Sequence, residues 1–95
     1  MMLAAKPKFP LGQVLATPGA LLAVEEAQAS LSLLLRRHQY GDWGETCAED
    51  AQMNEDAITG GARILSVYCL KGGEVLWIIT EADRASTTAL LPSEY

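Results

Sequence analysis

Residues 62–92 read ARILSVYCLKGGEVLWIITEADRASTTALLP, and this stretch decides the fold. Residues 63–70 alternate, with Ile64, Ser66, Tyr68 and Leu70 pointing one way and Arg63, Leu65, Val67 and Cys69 the other, as side chains do across a strand. Gly72-Gly73 then supplies the positive φ that a two-residue hairpin turn needs. Residues 75–81 are apolar on both faces, with Val75, Trp77 and Ile79 against Leu76 and Ile78, the pattern of a central strand covered on part of each side. Glu81-Ala82-Asp83-Arg84 is polar and reads as a second turn. Residues 85–91 form a Thr-rich third strand that stops at Pro92, which cannot donate to a ladder.

Outward from this meander, residues 10–16 fit a fourth, short N-terminal strand at an edge. Thr17-Pro18 starts a helix, with Thr as N-cap and Pro where its missing N–H costs nothing; that helix covers residues 18–27. Ser30 caps a second helix whose Leu31, Leu34, Leu35 and His38 share a face, and Gly41 is its left-handed stop. Asp42 with Glu45 approximates a capping box. It predicts a third helix over residues 43–57 that turns Cys47, Ala48, Ala51, Met53 and Ile58 inward. The expected class is α+β, with N-terminal helices packed on a small antiparallel sheet. Residues 1–8 read as a flexible tail and residues 9–95 as one domain.

The net charge of −5 counts against direct nucleic-acid binding, which needs basic patches. No run reaches the roughly 18 apolar residues of a membrane span. Residues 9–24 are apolar enough for a signal peptide, but Pro10, Gly12, Gln13, Thr17, Pro18 and Gly19 interrupt them and no cleavage site follows. Cys47 and Cys69 form no C-x-x-C pair and read as reduced, half-buried thiols in a cytoplasmic protein. No metal or cofactor motif is present: one His with scattered carboxylates lacks zinc or calcium spacing.

Six of the twelve acids (Asp42, Glu45, Glu49, Asp50, Glu55 and Asp56) fall where residues 38–62 hold no Lys or Arg. A solvated helix face explains such a run; the functional alternative is an acidic docking surface for an unidentified protein partner, with Trp43 at its edge. A second alternative is a small hydrolase or nuclease using His38 with Glu81, Asp83 and Arg84. His38 lies on an apolar face, however, where a packed histidine is the expected reading, and the 81–84 run also reads simply as a turn. An edge strand and apolar helices offer surfaces for a symmetric homodimer.

Three phrases carry a resemblance: FPLGQVLATPGAL at residues 9–21, RHQYGDWGE at residues 37–45, and RILSVY with LWIITEADRASTTALLPSEY within residues 63–95. Together they resemble a family of small bacterial proteins carried on plasmids and other mobile elements. The resemblance implies a bacterial, cytoplasmic setting and marks His38, Gly41, Asp42, Trp43, Gly44, Glu81, Asp83 and Arg84 as motif positions. It brings no activity and no catalytic residues. This chain departs from the pattern in a more apolar second helix at residues 31–35.

Overall fold

A computed structural model describes residues 6–95; residues 1–5, the first part of the expected tail, lie outside the described residues. The elements run β1 (Gln13–Ala16), α1 (Pro18–Glu26), α2 (Leu31–Gln39), α3 (Ala48–Gly60), β2 (Ile64–Cys69), β3 (Val75–Thr80), β4 (Ser86–Leu90) and a 3-10 turn (Pro92–Glu94). The fold is α+β, and the meander is present with β2–β3 and β3–β4 antiparallel. The sheet as a whole is mixed rather than antiparallel, because β1 joins β4 in parallel, giving the order β1-β4-β3-β2. All three helices and the β2–β3 hairpin intervene between β1 and β4. The direction of β1 is therefore set by where those elements return the chain, which local sequence does not encode.

The alternation read from the sequence is what the sheet buries. Ile64, Tyr68, Leu76, Ile78 and Ala89 face the helices and are buried. Full burial of a branched aliphatic side chain such as Ile64, Leu76 or Ile78 stabilises by about 1.5–3 kcal/mol. Ala20, Ala23 and Val24 of α1, its C-cap Ala27, and Leu34 of α2 pack on Tyr68, Leu76, Ile78 and Ala89. Small residues on α1 let the helix lie close to the sheet. Thr17 and Ser30 cap α1 and α2 as expected, accepting from Ala20 N and Leu33 N. Tyr40 ends α2, followed by Gly41 at φ 88°.

The third helix starts later than the capping-box reading places it. Its N-cap is Cys47, whose Sγ accepts from Asp50 N. Trp43 to Glu45 instead bridge to β2 around Gly44, which has a left-handed φ of 73°: Trp43 O accepts from Val67 N at 3.0 Å and Glu45 N donates to Val67 O at 2.6 Å. Pairing with the open edge of β2 wins over helix formation there, and the Asp42 carboxylate accepts from Gly44 N to turn the chain. The inward set of α3 is also different. Asn54 and Ala57 are buried, whereas Cys47, Ala48 and Met53 are exposed. Both cysteines are exposed thiols rather than half-buried ones. Lys8, assigned to the tail, is anchored by its N–H donating to Gln39 O. No helix among the described residues is long and apolar enough to cross a membrane.

Candidate functional site

Most of the motif positions converge on one structural joint around His38. The ring is fully buried, with Nδ1 2.6 Å from Ser66 Oγ and Nε2 2.9 Å from Thr80 Oγ1. Thr80 Oγ1 lies 2.7 Å from Thr87 Oγ1, and Thr87 donates to Leu11 O at 2.7 Å. One histidine thus ties α2 to β2, β3, β4 and the chain entering β1. Phe9 and Trp43 pack edge-on against the imidazole. Burial pushes its pKa down to about 4, because the charged form loses its water. With both nitrogens engaged and no face open, His38 has no proton to exchange with a substrate while the fold is closed.

The Gly41-Asp42-Trp43-Gly44 phrase builds the other half of the joint. The Asp42 carboxylate accepts from Arg37 Nε at 2.7 Å and Nη2 at 3.3 Å. This bond holds the Asp42 carboxyl below, and the Arg37 guanidinium above, their ordinary values. The Asp42 carbonyl accepts from the Tyr68 hydroxyl, and burial pushes that phenol up to about 12. Trp43 is buried, and its indole N–H donates to Glu55 Oε2 at 2.9 Å. Neither Trp43 nor Glu55 is therefore free for a partner; Glu55 also faces Lys8 Nζ at 3.8 Å.

The Glu81–Arg84 turn is held by its own bonds. Asp83 Oδ1 accepts from Ala85 N, and the Arg84 guanidinium donates to Glu81 O, Ala62 O and Ala57 O. The last of these lies at the C-terminal end of α3, which carries no basic residue of its own, so Arg84 caps that helix from across the fold. Glu81 and Asp83 are exposed. Asp83, Arg84 and His38 each serve the backbone or the core, and they do not form one open cleft.

Asn54 does what no sequence reading assigned to it. Its Oδ1 accepts from Leu65 N at 3.1 Å and its Nδ2 donates to Leu65 O at 2.7 Å. The side-chain amide copies the next strand of the ladder and closes the outer edge of β2. The available signal was its spacing, three residues from both Ala51 and Ala57, which puts an amide on the inward stripe of α3.

An open groove lies on the outer side of α3. It has a volume of about 330 Å³ and runs between that helix and the sheet face away from α1 and α2. Met53, Leu65, Trp77, Ile79 and Tyr95 line it, with Asp50 and Arg63 supplying charge. Arg63 is occupied: its Nη1 donates to the Tyr95 hydroxyl at 2.6 Å and its guanidinium sits over that ring. Met53 is 67% exposed, so an apolar side chain already stands in water beside the groove. Glu49 and Asp50 favour the α3 dipole at its N-terminus. Neither side chain has a basic partner among the described residues, and Asp56 meets only Gln52. Glu45 is exposed at the start of this face. Among the described residues no cluster of His, Cys, Asp and Glu has the makings of a metal site.

No family model, curated protein or solved structure matches this chain.

Proposed function

We propose that this protein is a non-enzymatic interaction module, and that the outer face of α3 with its groove receives a basic partner protein. The observation that carries the reading is Asp50: it lines an apolar groove and, like the neighbouring Glu49, has no basic partner among the described residues. A partner segment with an apolar side chain and a neighbouring Lys or Arg would fill the groove against Met53 and Trp77. It would set its cation against the acids, which steer the encounter and suppress wrong partners. An aromatic anchor such as Trp77 is the kind of residue on which binding energy concentrates. The plasmid or mobile-element setting belongs to this reading as its cellular context.

The test is capture of partners from a bacterial lysate by the tagged protein, compared with a Glu49→Gln, Asp50→Asn, Asp56→Asn variant. Glu55 stays unchanged because it holds Trp43. A stoichiometric partner lost in the variant and released by salt supports the module. Binding that survives neutralisation with unchanged strength overturns the acidic-docking reading.

A further inference from the structure

The two edges of the sheet are treated oppositely. At β2, the outward groups of Leu65 are taken by Asn54 and those of Val67 by Trp43 and Glu45. At β1 nothing comparable is present among the described residues. Gln13 N donates to Ala85 O and Thr17 N to Ala89 O, so Gln13, Leu15 and Thr17 face β4. By alternation the N–H and C=O groups of Val14 and Ala16 point away from the sheet. An exposed strand edge of this kind templates pairing with another chain, and proteins usually blunt it with charge or cover. Here residues 9–24 hold no charged side chain at all, on a chain of net charge −5. Val14 is 45% and Leu15 44% exposed, and Leu21 and Leu22 of the following helix are exposed as well.

We infer that β1 pairs antiparallel with β1 of a second copy, about a two-fold axis at Leu15, joining two four-stranded sheets into one. The occupant is a second copy because the 9–24 stretch carries no charge of its own, so two chains of net charge −5 meet there with the least repulsion; the Glu94 carboxylate that borders its C-terminal half is held on the Thr17 hydroxyl. The register follows from the free groups. Val14 opposite the partner's Ala16, and the reverse, uses every outward N–H and C=O of β1. It places Leu15 opposite the partner's Leu15 as a non-hydrogen-bonded pair, where Cα atoms lie about 4.5 Å apart. The ladder is short, so the dimer is weak and dissociates on dilution. This inference does not rest on the α3 groove, which lies at the β2 side of the sheet, away from the β1 edge.

Sedimentation velocity over a concentration series tests it. The wild type is expected to move from one chain to two as concentration rises. Val14→Pro removes an N–H that serves no bond within the sheet, and is expected to stay monomeric with unchanged circular dichroism. In a Cys47→Ser, Cys69→Ser background, Leu15→Cys is expected to oxidise to a covalent dimer, because paired Cα atoms at this spacing fit a disulfide. Gln13→Cys is expected not to. A wild type that stays monomeric up to millimolar concentration overturns the inference. So does a dimer in which Leu15→Cys fails to cross-link, an outcome that places the contact elsewhere. Should Val14→Pro fail to fold, the two cysteine variants decide alone.

Discussion

The hydrogen bond between His38 Nε2 and Thr80 Oγ1 runs in one direction only, and a residue that His38 does not touch sets it. The Leu11 carbonyl can only accept, so the Thr87 hydroxyl donates to it. Thr87 must then accept from Thr80, which leaves Thr80 accepting from His38 Nε2–H. In the neutral ring Nδ1 accepts from Ser66. The expected tautomer is Nε2–H. Nitrogen chemical shifts of the ring report it, and an Nδ1–H signature would contradict this chain of donors, since Thr80 has one proton and cannot give it to both His38 and Thr87.

The same ring makes stability depend on pH. Above its ordinary value of 6.5, His38 is neutral folded and unfolded, and its contribution is fully present. As pH falls from 6.5 toward about 4, the unfolded chain takes up a proton that the folded core refuses, so stability drops with acidification. The total loss attributable to His38 approaches about 3 kcal/mol below pH 4. Urea unfolding between pH 7 and pH 5, largely above the carboxylate range, isolates the first part of this loss. A His38 titration midpoint near 6.5 by NMR would contradict the assignment.

Asn54→Ala leaves the N–H and C=O of Leu65 without partners at a covered edge. The expected cost is about 2–4 kcal/mol in urea unfolding. Asn54→Asp is expected to be no better, because it can still accept from Leu65 N but sets an anion against Leu65 O. Full retention of stability by the Asp variant would show that the edge is open to water.

Gly44 and Gly61 both have positive φ, but they differ in space. A Cβ at Gly44 would stand 2.1 Å from Val67 O, whereas one at Gly61 meets nothing within 4 Å. Gly61→Ala is expected to cost about 1–2 kcal/mol, the left-handed penalty alone. Gly44→Ala is expected to cost about 3 kcal/mol or more, because the Trp43–Glu45 segment must leave β2. Equal melting temperatures for the two variants would refute the close approach.

Arg84→Lys retains the charge and loses the planar fork that reaches Ala57 O and Ala62 O together. An expected loss of about 1.5–3 kcal/mol separates this structural role from a surface charge. Glu81→Gln, by contrast, is expected to be neutral within about 0.5 kcal/mol. The same denaturation series checks both.

The meander, the caps of α1 and α2 and the stop at Gly41 were legible because each rests on neighbours in sequence: alternation, a hydroxyl before a helix, a glycine after one. His38 was legible as a packed residue from its place on the Leu31–Leu34–Leu35 face. The start of α3 was not, because Asp42 and Glu45 have the spacing of a cap while the free edge of β2, distant in sequence, competes for the same backbone. The parallel direction of β1 and the amide clamp of Asn54 are likewise properties of where elements meet. The acidic face was visible as composition, but the groove beside it needs Met53 from one element and Trp77 and Tyr95 from others.

The parallel pairing of β1 with β4 has a kinetic consequence. Leu11 and Thr87 meet across 76 residues, and Thr17 and Glu94 across 77. The other two strand pairs, β2–β3 and β3–β4, join consecutive strands. The β2–β3–β4 meander can therefore condense through local contacts, while closing the β1 loop costs the most chain entropy and comes late. During synthesis β1 leaves the ribosome before β4 and waits until its partner in the sheet is made. A chain interrupted before Ser86 carries an uncharged, unpaired strand that nothing inside it can cover. Such fragments are the species most exposed to aggregation and to proteolysis.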